Sequence, residues 1–329
     1  MKNAVIPIFI PHLGCPNACV FCNQRRIAQD RAPDAAEVRG IIEKALKSTE
    51  KPQISFYGGS FTAISPELQE SYLSAAKPFV DKGLADSIRI STRPDAIDGE
   101  VIKRLKAYGV KTVELGVQSM DDGVLLLSKR GHTAHDAEVS ARALLDAGFE
   151  VILQIMPGLP GSSREKDLET ARKTAALCPT AVRIYPVCVI RDTELCDMYE
   201  RGEYEPLDPE KAAELCADIL EIFEEKNVPV VRIGLNPTEE LSSGSAVAGA
   251  YHPAMGQLVR SALMFKKVCA ALDGLSAKSV LITVPRGRLS DMRGQKNGNV
   301  RKLAEKYPGL RFEIVENPSQ TELVSVQKI

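Results

Sequence analysis

The chain has 329 residues, of which 44% are hydrophobic and 26% charged, and its formal net charge is −1. That size and composition fit a soluble enzyme with one large core and a small appendage, and the near-zero charge excludes a whole-molecule attraction to nucleic acid or membranes. No apolar run approaches the roughly 20 residues that span a bilayer. The first run, residues 4–10, is short, is broken by Pro7 and precedes no cleavage site, so we expect a cytoplasmic protein without membrane contact.

Short apolar runs alternate with amphipathic segments over the first 235 residues. The predicted strands are residues 5–10, 53–57, 87–92, 112–117, 151–156, 182–185 and 230–233. Helix signals between them include the capping pair Asp34 and Glu37, and Ser65 followed by Pro66 at the first helical position. Repeated βα units require a parallel sheet, which is either a barrel or a doubly wound sheet. The pattern alone does not decide between the two.

The alternation stops after residue 233, where the composition changes. Residues 236–257 are rich in Gly, Ser, Ala and Pro and are predicted to form a loop against the core, followed by a helix over residues 258–273. The tail is predicted as a small βααβ unit, with strands at 280–284 and 310–315. We therefore expect three parts: a core of residues 1–235, a packing segment of 236–276 and a tail of 277–329.

Three of the eight cysteines lie together directly after the first predicted strand, as Cys15, Cys19 and Cys22. In the reducing cytoplasm, clustered thiols more often bind metal than form disulfides. Thiolates suit iron–sulfur clusters or zinc. A closed iron–sulfur cluster normally takes four cysteines, so three leave one iron open for a small molecule. His12, three residues before Cys15, would instead complete a four-ligand zinc site.

Glycines and polar residues follow several of the other predicted strands. They are Gly58, Gly59 and Ser60 after the second strand, Arg93 after the third, Glu114 and Gln118 on the fourth, Arg130 beyond it, and Met156 to Leu159 after the fifth. The carboxyl ends of the strands of a βα barrel meet at one edge, where active sites collect. Glycines there let backbone approach a ligand closely, and polar side chains buried on a strand need partners.

The Cys-x3-Cys-x2-Cys spacing, with Phe21 before the last cysteine, resembles the signature of the radical S-adenosylmethionine superfamily. The blocks TRPD, ELGVQS, RGHT, MPGLPG and YPVCVIRDTEL resemble, in order, the radical domain of the Elongator catalytic subunit, a tRNA wobble-uridine modifying family. The resemblance covers residues 5–205. It implies a partial TIM-type (β/α)6 barrel of the α/β class with a small C-terminal α+β appendage. It also implies a [4Fe-4S] cluster on the three cysteines that, with S-adenosyl-L-methionine, generates a 5′-deoxyadenosyl radical.

The same resemblance implies a role for each residue at the strand ends. Backbone at Gly58, Gly59 and Ser60 would hold the amino group of the cosubstrate, with Ser60 in a place that is often Glu. Gln118 would contact its ribose, and Arg130 would pair with its carboxylate, a task that suits a guanidinium group. Met156 to Leu159 would line the adenine pocket, and Arg93 and Glu114 would lie on the ribose side or behind it.

The resemblance also implies partners and a limit. The partners are a low-potential electron donor of the flavodoxin or ferredoxin type, and tRNA as a candidate substrate. The Elongator subunit continues into a large acetyltransferase-like domain, for which the residues after Ala277 are too few. We therefore expect the radical step without the step that depends on acetyl-CoA.

Weaker signals come from histidines and from the tail. His252, in the glycine-rich segment, is a weak candidate for a substrate-side acid or base, because histidine titrates near neutrality. His132 and His135 are expected at a helix start, as a cap or on the surface. Residues 278–311 carry nine Lys or Arg against Asp291 and Glu305. We interpret this as a solvated basic face that also makes RNA a reasonable partner.

Two other functions stay open at this point. A zinc-stabilised RNA-binding module without catalysis explains the cysteines and the basic tail, but it leaves the strand-end residues without a purpose. A radical enzyme acting on a small metabolite, as porphyrin-processing relatives do, explains the cysteines and the strand ends equally well. The sequence does not choose among substrates.

Overall fold

The computed structural model describes residues 4–10, 13–15, 19–22, 31–237 and 241–329. Its strands, in chain order, are β1 Val5–Phe9, β2 Gln53–Tyr57, β3 Ser87–Thr92, β4 Val110–Gln118, β5 Glu150–Ile155, β6 Ala181–Ile184, β7 Cys188–Ile190, β8 Val230–Ile233, β9 Ala246–Gly249, β10 Ser279–Pro285, β11 Arg311–Asn317 and β12 Ser325–Lys328. Its helices are α1 Ala35–Leu46, α2 Pro66–Asp81, α3 Gly99–Ala107, α4 Asp122–Leu127, α5 Ala134–Asp146, α6 Arg164–Ala176, α7 Glu194–Glu200, α8 Pro209–Glu225, α9 Met255–Leu272, α10 Leu289–Arg293 and α11 Gly298–Lys306.

Seven parallel strands form the main sheet in the order β1-β2-β3-β4-β5-β6-β8. The order follows the chain without reversal, whereas a doubly wound sheet reverses at a switch point. The sheet is therefore a curled half-barrel, as expected from the family resemblance, and all seven predicted strands are present. The helix caps predicted at Asp34 and Ser65 are also confirmed, since both side chains accept hydrogen bonds from backbone N–H groups of the first turn.

The two faces of the sheet differ because helices cover only the outer one. On β1, Ile6 and Ile8 are buried in the main core against α1, whereas Val5 and Phe9 are 42% and 44% exposed. The outer faces of the other strands also contribute to this core, through residues such as Ile54, Ile88 and Val113. The inner face, which we call the lumen, carries polar and aromatic side chains.

The prediction of a loop over residues 236–257 is wrong in one respect. It contains β9, which pairs antiparallel with β7 as a separate two-stranded sheet. The sequence of β9, AVAG, has little strand propensity of its own, so this strand depends on a partner distant in the chain.

The tail contains the predicted βααβ elements and one further strand. β10 lies at the centre of a three-stranded sheet, parallel to β11 and antiparallel to β12. Helix α9 joins this unit to the half-barrel, because Val259 and Leu263 pack in the main core while Met264 and Val268 pack in the tail core. The three-part division into residues 1–235, 236–276 and 277–329 stays a prediction.

Candidate functional site

The cysteine loop follows β1 at the carboxyl edge of the sheet. Cys15 and Cys22 are exposed and Cys19 is half-buried. The backbone N–H of Cys22 donates to the carbonyl of Cys19 over 3.0 Å, which forms a tight turn between the last two thiols. His12, the fourth ligand of the zinc alternative, lies outside the described residues.

The glycine segment after β2 packs directly against this loop. The backbone N–H of Ser60 donates to the carbonyl of Leu13 over 3.0 Å. A Cβ atom on Gly59 would lie 2.5 Å from that same carbonyl oxygen, and one on Gly14 would lie 2.3 Å from the carbonyl oxygen of Ser60. Both glycines are therefore required for close backbone approach. The contact of Gly58, Gly59 and Ser60 with an amino group stays a prediction.

Ser60 also touches the cluster loop through its side chain. Its Oγ lies 3.4 Å from Sγ of Cys15. Sequence reasoning placed Ser60 at a ligand by its backbone only, and the contact with Cys15 has no signal in the sequence because the two residues come from different strand ends. Ser60 is buried, and in this contact either its hydroxyl or the thiol of Cys15 can donate.

Arg130 joins the cysteine loop to β4. Its Nη1 donates to Sγ of Cys19 over 3.1 Å and its Nη2 donates to the carbonyl of Gly116 over 2.8 Å. The carbonyl of Arg130 in turn accepts a hydrogen bond from Nη2 of Arg93 over 2.5 Å. Arg93 is buried, and its Nε donates to Asp95. These donors of Arg93 are thus directed at Asp95 and Arg130. The predicted contact of Arg93 with the cosubstrate stays a prediction, and in the structure Arg93 supports Arg130.

Gln118 ends β4 in an uncommon backbone conformation. Its φ is 66°, in the left-handed region that non-glycine residues rarely adopt, and the register with β5 shifts between Gly116 and Gln118. Its carbonyl accepts from the N–H of Met156, and its Oε1 accepts from Gln154. Strained residues of this kind cluster at ligand sites, where the surrounding structure fixes them. The predicted ribose contact of Gln118 fits that placement.

Met156 and Leu159 lie beside the cysteine loop. Leu159 belongs to a small apolar cluster with Val20, against which Phe21 and Met156 pack. The segment after β5 thus lines the same end of the barrel as the thiols. Its predicted role in holding adenine stays a prediction.

Two groups hold that segment in place. Asp167 accepts hydrogen bonds from the N–H of Gly158 over 2.9 Å and from Oγ of Ser162 over 2.7 Å. Tyr204 donates to the carbonyl of Gly158 over 2.6 Å. Burial raises the pKa of Asp167 to about 6 and also raises the pKa of Tyr204. Neither residue was singled out from the sequence, because neither belongs to a motif.

Glu114 lies inside the lumen, where it is buried between two arginines. Its carboxylate forms ion pairs with Arg89 and, over 2.9 Å, with Nη2 of Arg183, and it accepts from Ser91 over 3.3 Å. The sequence indicated that Glu114 needs partners but did not identify them. Its predicted contact with the cosubstrate stays a prediction, and its first role in the structure is to pair these guanidinium groups.

Of the three histidines considered in the sequence analysis, His132 lies in a different environment from the one predicted. His132 is not a cap or a surface residue, because Thr133 caps α5 and His132 is buried, with Nε2 3.2 Å from the carbonyl of Val117. Burial lowers its pKa to about 4, so the ring is neutral. His135 is exposed, as predicted. His252 is half-buried, and its Nδ1 accepts from the N–H of Ala254 at the start of α9, which gives it a loop-fixing contact.

The donor set fits an iron–sulfur cluster in its chemistry. Three thiols come from one loop at the carboxyl edge of the barrel, and an arginine N–H already points at one sulfur. The described residues contain no group of three His, Cys, Asp or Glu side chains close enough to hold a metal ion as they stand. The other five cysteines lie elsewhere; four of them are buried and Cys178 is exposed. The loop therefore offers three thiols, and the described residues supply no fourth ligand.

A half-barrel with three thiols at the carboxyl edge, beside a glycine segment and a strained strand end, is the arrangement that the family resemblance predicts for a cofactor-dependent radical enzyme. The model of the Radical SAM superfamily matches residues 9–174, and that of the Radical_SAM C-terminal domain matches residues 179–264. The chain belongs to the Radical SAM superfamily and is a radical SAM enzyme. Enzymes of this superfamily use a [4Fe-4S] cluster and S-adenosylmethionine, so the cofactor prediction is confirmed at the level of the family.

Curated relatives and a solved structure are similar over most of the chain. A tRNA uridine(34) acetyltransferase of Methanocaldococcus infernus is 34% identical over 258 residues, which cover 64% of this chain and 48% of that protein. The human Elongator complex protein 3 is 29% identical, over 66% of this chain and 49% of that protein. The structure of the Elp3 of Methanocaldococcus infernus gives a TM-score of 0.62 at 27% identity, covering 84% of this chain and 64% of that one. The chain thus spans about half the length of these curated relatives, and the predicted Elongator resemblance is confirmed.

No helix in the described ranges combines the length and the apolar character that a membrane crossing requires.

Proposed function

We propose that this protein binds a [4Fe-4S] cluster through Cys15, Cys19 and Cys22 and uses S-adenosylmethionine to modify tRNA. When bound, the cluster and S-adenosylmethionine supply a 5′-deoxyadenosyl radical that abstracts a hydrogen atom from the substrate. The observation that carries the proposal is the joining of the three-thiol loop to Gly59, Ser60 and Arg130, residues that the resemblance assigns to the cosubstrate.

The chain's own residues would bind and orient the cosubstrate and shield the radical from water. Arg130 donates to Sγ of Cys19 with one N–H and to the carbonyl of Gly116 with another, which fixes the guanidinium group beside the thiol loop. The strained backbone of Gln118 fixes the end of β4 against Met156. Asp167 and Tyr204 hold the backbone of Gly158, so hydrogen bonds of the chain itself position the apolar wall after β5. An apolar wall that excludes water protects a radical from side reactions.

The tRNA substrate rests on the printed functions of the relatives and on the charge of the tail. The curated relatives are named for a uridine of tRNA, at position 34, and for the Elongator complex. Of the nine basic residues predicted to form a solvated face in the tail, Arg288 is half-buried and pairs with Asp291. The other eight are exposed: Lys278, Arg286, Arg293, Lys296, Arg301, Lys302, Lys306 and Arg311. Such a face attracts a polyanion in a salt-dependent way. The electron donor of flavodoxin or ferredoxin type is part of the same proposal.

The test of the substrate compares modified nucleosides in bulk tRNA from cells with and without this gene. The proposal expects one modified uridine to disappear and to return when the wild-type gene, but not a Cys19→Ala variant, is supplied. An unchanged nucleoside profile would remove tRNA and favour a small-metabolite substrate. Full-affinity tRNA binding by a zinc-containing, colourless protein would favour the RNA-binding module instead.

A further inference from the structure

Helix α11 of the tail and the turn before it carry a row of exposed cations. We call the following five the basic strip: Arg293, Lys296, Arg301, Lys302 and Lys306. Within the described ranges none of the five is in an ion pair, and Asp291 of α10 pairs with Arg260 and Arg288 instead. Glu305 is the one acidic side chain on α11, so the strip keeps a net positive charge. The two matched family models end at residues 174 and 264, and neither reaches this part of the chain.

Two hydrogen bonds fix how α11 lies against α9. Nδ2 of Asn299 donates to the carbonyl of Ser261 over 2.8 Å, and the hydroxyl of Tyr307 donates to the carbonyl of Cys269 over 3.2 Å. Each bond joins residues 38 apart in sequence, so the two helices run side by side in the same direction. Leu303 is buried in the tail core, whereas the cations of α11 are exposed. The helix is about 13 Å long, which is enough for several successive phosphates of a nucleic-acid strand.

The strip begins beside the carboxyl edge of the half-barrel. A Cβ atom on Gly256, in the first turn of α9, would lie 3.7 Å from the carbonyl oxygen of Ile233, the last residue of β8. The next residue, Gln257, accepts a hydrogen bond from Nε2 of Gln295 over 3.3 Å. Gln295 lies in the turn between the first two cations of the strip. The row of cations therefore leads away from the same edge of the sheet at which the cysteine loop lies.

The composition of this surface favours one kind of partner. Between residues 286 and 311 no large apolar side chain is exposed. Protein partners usually bury a centre of apolar and aromatic residues, and lysine is depleted there. Spaced lysines and arginines without such a centre are the usual contacts of phosphates along a nucleic-acid backbone. The strip thus fits RNA better than an acidic protein.

We propose that the basic strip is a docking surface for the phosphate backbone of the RNA substrate, which it holds against the carboxyl edge of the half-barrel. This inference rests on the proposed function, because it takes tRNA as the substrate. Phosphate contacts position a nucleic acid without reading its bases. The tail would therefore supply affinity and orientation, while the choice of the reacting nucleotide is made elsewhere.

The test uses the full chain loaded with cluster, and its probe is bulk tRNA from cells that lack the gene. Filter binding over a range of salt concentrations gives the affinity and its dependence on salt, the salt slope. The strip variant combines Arg301→Gln, Lys302→Gln and Lys306→Gln. Each lost phosphate contact removes about 0.9 from the slope, so we expect the slope to fall by about two to three. The affinity at low salt should fall by on the order of tenfold or more.

The matched control combines Lys44→Gln, Lys47→Gln and Lys82→Gln, which removes the same charge from exposed positions at the ends of α1 and α2. Its salt slope should stay within about one of wild type. Arg301→Lys alone should keep the wild-type slope, since a phosphate contact of this kind needs the charge and not a planar fork. Both triple variants should form 5′-deoxyadenosine at the wild-type rate when dithionite is the reductant and tRNA is absent.

Wild-type affinity and slope in the strip variant would overturn the docking surface and leave tRNA as the proposed substrate. An equal loss in the control variant would also overturn it, because net charge alone would then explain the effect. A strip variant that keeps its tRNA affinity but loses the activity driven by reduced flavodoxin would assign the strip to an acidic electron donor instead. If the wild-type protein forms 5′-deoxyadenosine but binds no tRNA, the proposed substrate fails together with the surface, and the radical activity stands.

Discussion

Arg130 donates a hydrogen bond to Sγ of Cys19 over 3.1 Å, although 111 residues separate the two in sequence. The same side chain binds the carbonyl of Gly116, so one guanidinium group connects the cysteine loop to the end of the fourth strand. The position of Cys19, which we propose as a cluster ligand, is therefore coupled to the strand end that the family resemblance assigns to the cosubstrate.

The first prediction concerns this connection. Arg130→Lys keeps the charge but cannot donate to Cys19 and Gly116 at once with a planar fork. We expect the rate of 5′-deoxyadenosine formation in reduced protein to fall by about 10- to 100-fold, as for partners that orient metal ligands. Lys129→Ala is the control, because Lys129 is exposed and pairs with Glu194. Equal rates for the wild-type protein and both variants would contradict the prediction.

The second prediction concerns the packing of the glycine segment on the cysteine loop. The Cβ of Gly59→Ala would lie 2.5 Å from the carbonyl oxygen of Leu13, so the loop must move. We expect iron incorporation, measured after anaerobic reconstitution, to fall to less than half of wild type. Gly40→Ala, in helix α1 with no atom within 4 Å of the new Cβ, should incorporate iron normally and be slightly more stable. Normal iron content in both variants would show that the loop tolerates the displacement.

The third prediction concerns His132 and acid. Burial lowers its pKa from 6.5 to about 4, so the unfolded chain binds a proton that the folded chain does not between these values. The free energy of unfolding should therefore fall as the pH drops from 6.5 toward 4, by about 3 kcal/mol from this residue. Chemical denaturation at several pH values should show a smaller fall for His132→Gln. A slope that is identical in wild type and variant would contradict the assignment.

The fourth prediction concerns Asp167, whose contribution has the opposite sign. Its pKa is raised from 3.8 to about 6, so the folded chain holds a proton that the unfolded chain has lost. The contribution of Asp167 to the free energy of unfolding is about 3 kcal/mol. It is fully present below about pH 4 and is lost as the pH rises through 6. The difference in unfolding free energy between wild type and Asp167→Asn should change over that window. A carboxyl carbon of Asp167 that titrates near pH 4 by NMR would refute it.

Local patterns were sufficient for much of the fold. The strands follow from apolar runs, and the caps at Asp34 and Ser65 from their spacing to the first turn. β9 was missed because AVAG is a strand only through its pairing with β7. The choice of a barrel over a doubly wound sheet came from the family resemblance, since both have the same βα rhythm.

The sequence predicted which end of the barrel the site residues occupy, but not which of them touch each other. The cysteine spacing and the strand-end motifs located Cys19, Gln118 and Arg130, because the carboxyl ends of parallel strands share one edge. The pairing of Ser60 with Cys15, and of Glu114 with Arg89 and Arg183, depends on which strands become neighbours. His132 was misplaced because a residue beside a helix cap can point inward as readily as outward.

The most direct test of the account is an anaerobic reconstitution followed by reduction in the presence of S-adenosylmethionine, with iron and 5′-deoxyadenosine measured on the same sample. The account predicts about four irons per chain and formation of 5′-deoxyadenosine, with both lost in Cys15→Ala, Cys19→Ala and Cys22→Ala. A chain that holds a single zinc, or a reduced cluster beside which S-adenosylmethionine stays intact, would contradict it.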